Sequence, residues 1–317
     1  MGSRWYPLAV VVLWLSAMSW LVVTQVVPPM VVGKPPIYHQ TGAADSEPEP
    51  PVGWNMSWNG RHLGWALSKA TQVPGEGTVI WSRLHFDPLS LDQLFSAWPG
   101  ILGPMRGLPS ARLQLEADST LRLDLLGHLI DFDSVLKIVP GHSLIRLRAA
   151  PDGSDLALSL RVQDAAYDLK VPLGPEGMLH DSFSPEMHLG GLRAGQRWTV
   201  PSYSPLNSIT DPKHPIEILL ARVEESTSIV WNKRSEEVWL VVYRTNEAVG
   251  PASDKNIRTK LWVHRDGKVL RQQIYTLGGS LVFNRMSDQD VSRLLETAIE
   301  GRNVRVPAAV PSGPMER

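Results

Sequence analysis

The chain contains no cysteine. That removes disulfides, thiol nucleophiles, thiolate metal sites and a lipid-modified N-terminal cysteine in one step. A domain without cross-links must be held by its core alone. Phenylalanine is scarce as well: five residues against twelve tryptophans, so tryptophan has to supply the large aromatic filler of a core. An excess of either charge is also missing, since 31 Lys and Arg meet 32 Asp and Glu for a net charge of −1. Such a balance gives no footing for a nucleic-acid partner or a polybasic membrane patch. No internal repeat is apparent, and only one long apolar run exists.

That run is Leu8 to Val27, LAVVVLWLSAMSWLVVTQVV, with no charged side chain. About 20 apolar residues in a helix match the ~30 Å hydrocarbon core of a bilayer. The expectation is a single transmembrane helix over 8–27, with Trp5, Leu8 and Val27 marking the membrane anchor. Arg4 precedes the run, whereas Lys34 is followed by Asp45, Glu47 and Glu49. The positive-inside bias therefore puts residues 1–7 in the cytoplasm and exports the C-terminal body from the inner (cytoplasmic) membrane. Ala17-Met18-Ser19 offers a rival cleavage site for a signal peptide, but the run stays apolar through Trp20-Leu21-Val22-Val23. A buried core helix is the third alternative.

Residues 28–53 are rich in proline, acid and small side chains and read as a spacer. An exported β-rich domain is expected over 54–301, either one structure or two halves at 54–173 and 174–301. Asn59-Gly60 inside WNMSWNGRHLGWAL signals a type I′ hairpin. Ser90 and Gln93 form a capping-box pattern, so one internal helix is expected through Trp98. Period-two alternation follows in ARLQLEAD, LRLDLL, Ile130–Ile138, Ser143–Ala150, Leu156–Val162 and Tyr167–Leu173. Further strands are expected at Ile216–Glu225, Ser228–Trp231, Glu237–Thr245, Arg258–His264 and Val269–Leu277. Ser287 or Asp288 caps a final helix through Ile299, and 302–317 reads as a disordered tail. The fold class is mainly β (α+β): a large curved antiparallel sheet or open half-barrel with one internal and one C-terminal helix.

Clusters that could carry chemistry are weak. His180-Asp181-Ser182 holds triad residue types, but consecutive residues of an extended chain face opposite ways. Met178, His180, Met187 and His188 are a ligand set that copper accepts, without a metal-motif spacing. Asp131 and Asp133 share a strand face near Asp124, a candidate cation site or the solvated side of the strand. Arg197 could meet an anion or serve sheet pairing. No metal site, cofactor or catalytic residue is assigned, and no enzyme activity is expected. Nine of the twelve tryptophans follow the apolar run. They are either core filler or the lining of a concavity for apolar chains; on the second view Trp58, Trp65, Trp81, Trp198 and Trp239 are the ligand-binding candidates.

The segment Asp181–Phe283 resembles a widespread family of exported bacterial β-rich proteins of unknown function. The matching pieces are Asp181-Ser182-Phe183-Ser184, Leu192-Arg193-Ala194-Gly195 and Trp262-Val263-His264-Arg265-Asp266-Gly267. WNGRHLGWA also resembles the opening strand pair of domains found beside exported transglutaminase-like modules. The whole chain is similar to membrane-anchored uncharacterised proteins of planctomycete-type bacteria. The resemblance implies a cup-shaped antiparallel sheet like that of lipoprotein carriers, and no catalytic residues. The functional expectation is a non-catalytic, membrane-anchored envelope protein that binds a hydrophobic or amphipathic ligand such as a lipid. The alternative is a structural component of the envelope that binds a protein partner.

Overall fold

A computed structural model describes residues 5–21, 36, 50–90, 112–139, 143–162, 165–172, 179–181, 184–203, 213–214, 216–245, 256–276 and 279–300. Sixteen strands form one mostly antiparallel sheet, with a helix at each end of the chain. The first half runs β1 (Val52–Trp58), β2 (Arg61–Val73), β3 (Gly77–Phe86), β4 (Leu89–Ser90), β5 (Arg112–Leu123), β6 (Leu129–Val139), β7 (Ser143–Asp152), β8 (Asp155–Val162) and β9 (Ala165–Pro172). The second half runs β10 (His180–Asp181), β11 (Arg197–Tyr203), β12 (Ile216–Trp231), β13 (Arg234–Thr245), β14 (Ile257–His264), β15 (Val269–Thr276) and β16 (Gly279–Arg285). Each half is a meander, and β1 pairs with β16 to join them into a single sheet with β9 and β10 at its open edges.

The hairpins form where the turn chemistry requires them. Asn59 and Gly60 both adopt positive φ, 47° and 81°, as a type I′ turn demands. Asn59 also accepts the Ser280 N–H at 2.9 Å, tying this turn to β16. Asn232 and Lys233, at 48° and 65°, make a second such turn that the sequence does not advertise with glycine. The segments expected separately at 216–225 and 228–231 are one strand, β12, with an irregularity between Val223 and Ser226. ARLQLEAD and LRLDLL likewise merge into β5, which ends at Leu123. Leu125 and Leu126 leave the alternation because Asp124 accepts the N–H groups of Leu126 and His128, each at 2.8 Å, and closes a turn there.

Alternation sends one side chain of each pair into the curl of the sheet. The inner face gathers the main core, from Trp54, Met56 and Phe86 through Leu147 and Leu158 to Trp198, Tyr243 and Phe283. Phe132 of β6 meets Tyr203 of β11 edge to face at 5.7 Å, so the two halves close onto each other although the sheet does not. The outer face carries a smaller core, Leu67, Trp81, Met286 and Val291, with Trp65, Leu294 and Leu295 packed against it. Its cover is α2 (Asp288–Glu300). Ser287 caps this helix: its Oγ accepts the Asp290 N–H at 3.2 Å. Gly53 lets it approach, since a Cβ there would lie 2.7 Å from Val291.

Two helices expected from the sequence are described only in part. The predicted internal helix lies outside the described residues except for Ser90, which pairs with Arg112 as strand. The apolar run forms α1 (Trp5–Leu21), 17 residues, and every residue from 11 to 20 is exposed. At 1.5 Å per residue it is ~25 Å long. Among the described residues no helix is long and apolar enough to cross a membrane. Trp5 and Leu8 lie in α1, whereas Val27 lies outside the described residues.

Gly64 sits opposite Met56 beside an irregularity in the β1–β2 ladder, at φ 145°, and a Cβ there would fall 2.1 Å from the His85 carbonyl oxygen. Gly64→Ala is expected to destabilise the chain by about 3 kcal/mol or more. Gly75→Ala, at φ 80° with open space around it, should cost only about 1 kcal/mol. Denaturant unfolding of the two variants checks the contrast.

Candidate functional site

Between β9 and β11, the described residues 179–181 and 184–196 form a crossover against the inner face of the sheet. Its residues Leu179, His180, Asp181 and Glu186 are buried, as is Leu189. It is held largely through its backbone. The Glu186 N–H donates to Gln272 Oε1 at 2.9 Å, and the Leu189 N–H to the Gly267 carbonyl at 2.7 Å. The Val269 N–H reaches the Met187 carbonyl at 3.2 Å, and Arg285 Nη1 donates to the same oxygen at 2.9 Å. On the other side, Ser184 Oγ lies 2.5 Å from Ser82 Oγ. The crossover is therefore fastened to both halves of the sheet.

Beneath it the inner face is unusually polar. Ser68, Ser82, Ser119 and Ser134 are cross-strand neighbours on β2, β3, β5 and β6, and all four are buried. Ser82 Oγ donates to Ser68 Oγ at 3.2 Å. Four small hydroxyl side chains in one row leave space that larger apolar residues would fill. A cavity of about 50 Å³ opens beside Ser119, the one member of the row that lines it. Its apolar wall is Ile80, Leu121, Leu123, Phe132, Leu179 and Met187; its polar wall includes Ser119, His180, Ser184 and Glu186. At roughly 10–15 Å³ per water-sized sphere, the space admits a group of a few heavy atoms.

His180 dominates the polar end. Its Nδ1 lies 2.9 Å from Glu186 Oε1, with both side chains only 3% exposed. Its ring stacks on Tyr243 at 5.6 Å and 14°. Nε2 is buried and has no hydrogen-bond partner among the described residues. With Nδ1–H donating to Glu186, a neutral ring presents Nε2 as an acceptor. Burial, reinforced by the nearby Glu186 charge, pushes the Tyr243 phenol well above its ordinary pKa, so it stays uncharged beneath the imidazole.

The tryptophans expected to line one concavity are divided between two faces. Trp58 and Trp198 are buried in the main core, and Trp239 packs at its margin. Trp65 and Trp81 are on the opposite face under α2, where Trp65 stacks on His85 at 5.0 Å and Arg83 lies over Trp81 at 5.4 Å. None of the five lines the cavity. Strand parity explains the division, because Trp65 and Trp81 alternate with inward Ala66 and Ile80.

The weaker clusters also resolve. His180 takes its carboxylate from Glu186, and Ser182 lies outside the described residues. Met178 does too, Met187 lines the cavity, and His188 points to the Asp266 carbonyl at 2.9 Å, so no Met/His ligand set gathers among the described residues. No group of three His, Asp or Glu able to hold a metal occurs among the described residues either. Asp131 is bound by Arg122 Nε and Nη2 and Asp133 by Arg146 at 2.7 and 3.2 Å, which uses up the carboxylates proposed for a cation. Arg197 opens β11 opposite Arg222, a sheet-pairing position. A second, more open hollow of about 650 Å³ lies over β6 to β9, lined by apolar side chains such as Phe132, Leu158 and Leu169 and by charged ones such as Asp133, Arg148 and Lys170.

Comparison with known proteins yields no matching family model and no matching curated protein. Among solved structures, the chain is similar to a β-barrel-like protein of the domain of unknown function DUF1849 from Brucella abortus. Identity is 10%, coverage 75% of this chain and 95% of the other, and the TM-score 0.45. A DUF1089 family protein from Pseudomonas aeruginosa is 14% identical, with 74% and 95% coverage and a TM-score of 0.31.

The β14–β15 turn that receives the crossover backbone is itself held by Asp266. Burial pushes the Asp266 carboxyl up, but the Lys268 N–H, the His264 ring and the Lys268 ammonium outweigh it and hold its pKa at about 2 against an ordinary 3.8. A lowered carboxylate pKa stabilises the fold above the ordinary value, and that contribution is lost as pH falls from ~4 through ~2. Asp266→Asn should therefore lose less stability across that window than the parent chain, as thermal unfolding at stepped pH would show.

Proposed function

We propose that the protein is a membrane-anchored envelope protein whose β domain is a non-catalytic binding module for an amphipathic ligand. The cavity carries this reading: an apolar wall of Ile80, Leu121, Leu123 and Phe132 faces a polar end at buried Ser119 and His180 and half-buried Ser184. Such a pairing of a greasy surface with a few fixed polar groups is how small-molecule sites orient a ligand. The His180 Nε2 orphan and the serine hydroxyls receive the polar end, while the apolar part follows the β5–β6 wall. A space of this size takes the end of a ligand, so a long acyl chain has to lie beyond it or lift the crossover. The tryptophans contribute by building the two cores around the cavity.

The anchor is part of the same proposal. A helix apolar on all sides with residues 11–20 exposed has to be covered by something apolar, and the run continues in sequence to Val27. Location at the cytoplasmic membrane with the β domain exported follows from the charge asymmetry around that run. The envelope-scaffold alternative draws on one observation: β9 is an open sheet edge that a strand of another protein could extend.

The test is mass spectrometry of small molecules carried by the full chain purified from an exporting host. A near-stoichiometric amphipathic molecule is expected in the parent protein. Ser119→Leu, which fills the cavity, should remove it while unfolding stays cooperative. An empty parent protein, or a ligand retained at full occupancy by Ser119→Leu, overturns the proposal.

A further inference from the structure

The sheet has two rims, and among the described residues four exposed large apolar side chains of the sheet lie toward one of them, while Ile218 is exposed near the other end of β12. The turns β2–β3, β5–β6, β7–β8, β12–β13 and β14–β15 share one rim, because each is a hairpin turn at the same end of neighbouring antiparallel strands. Strand β1 starts from this rim too, so the chain coming from α1 joins the sheet on this side. Leu125 and Leu126, 64% and 71% exposed, sit at the tip of the β5–β6 turn, and Val230, 74% exposed, lies beside the β12–β13 turn. Ile130, at the start of β6, is exposed on the same side.

Two adjacent leucines at a hairpin tip are not a frayed end. Asp124 Oδ1 accepts from both the Leu126 and His128 N–H groups, its Oδ2 lies 3.2 Å from His128 Nδ1, and its carbonyl accepts the Gly127 N–H at 3.0 Å. The turn is thus fixed with both apolar side chains in water, which makes the tip a candidate contact for an apolar partner. Charge on the rim is mixed: Glu76, Asp124, Asp152, Asp155 and Asp266 stand against Lys233, Arg234, Arg265 and Lys268. An electrostatic partner is therefore not selected.

The geometry points to this rim as a second membrane contact, in which Leu125 and Leu126 insert into the interface of the bilayer that holds α1. The occupant is lipid because the apolar tip lies on the rim where the chain from the apolar helix joins the sheet, and because no net charge marks it for a charged partner. The contact would set the β domain upright on the membrane with its turn rim down. It rests on the proposed anchoring and is independent of the cavity. Since apolar insertion drives it, zwitterionic lipid suffices.

The lack of cysteine makes the test direct, because one introduced thiol is the only label site. The full chain carrying Leu125→Cys or Leu126→Cys is labelled with an environment-sensitive fluorophore and reconstituted into phosphatidylcholine vesicles. Arg61→Cys, exposed beside the β1–β2 turn on the opposite rim, is the control. Labels at 125 and 126 should shift to the blue and be quenched several-fold more strongly by nitroxide lipids than the label at 61, with the reverse order for aqueous iodide. Equal iodide quenching at all three sites, in a chain that resists alkaline carbonate extraction, overturns the rim contact and leaves the anchor standing. Blue-shifted labels at 125 and 126 that nitroxide lipids do not quench also overturn it, in favour of a protein–protein contact. Release of the chain by carbonate overturns both the contact and the anchor.

Discussion

The pairing of β1 with β16 is the contact on which the rest of the architecture depends. It sets Trp54 opposite Arg285 and Trp58 opposite Leu281, joining residues more than two hundred positions apart. Without it the chain is two meanders, each with an unprotected edge and half of an inner face. With it, one curled sheet can bring Phe132 against Tyr203 and bury a continuous core. The hairpin at Asn59-Gly60 reinforces the joint from the same residues, through the Asn59 side chain on the Ser280 N–H. Arg285 adds to it, stacking over Trp54 and reaching the crossover at the Met187 carbonyl.

The polar interior follows from that curl. A row of buried serines is tolerable only where something returns hydrogen bonds to it, and the crossover does so by placing Ser184 against Ser82. The same segment carries His180 and Glu186 into the space. A buried acid–imidazole pair adds little net stability over apolar packing of the same volume. The inner face thus combines a filled apolar core on either side with one polar seam between the halves.

Much of the fold was legible residue by residue. Alternation in Leu156–Val162 and Arg258–His264 marked half-buried strands, and Asn59-Gly60, Gly153 and Asp266-Gly267 marked turns, all at positive φ where glycine stands. Of the two caps the sequence offered, Ser287 and Asp288, the structure uses Ser287. Where the reading failed, a local contact outweighed the pattern. Leu125 and Leu126 continued a period-two run, yet the Asp124 side chain closed a turn before them. Trp231-Asn232-Lys233-Arg234 lacked glycine, yet Asn232 and Lys233 took the left-handed conformation. Strand β11 and the short β10 were hidden in a Pro- and Gly-rich stretch with little alternation.

The sequence by itself determined the class of structure: a cysteine-free, β-rich domain behind one long apolar run, with tryptophan as its large core filler. These properties are set by composition and by periods of two to four residues, which any stretch of chain carries within itself. Only the tertiary structure decided the site. The serines at 68, 82, 119 and 134 have unremarkable neighbours in sequence and become a row through strand register alone. His180 finds Glu186 rather than the adjacent Asp181 because an extended strand turns neighbours apart while the following turn brings residue 186 back. Trp65 and Trp81 leave the inner face for the same reason of parity, a property of pairing that no single strand reveals.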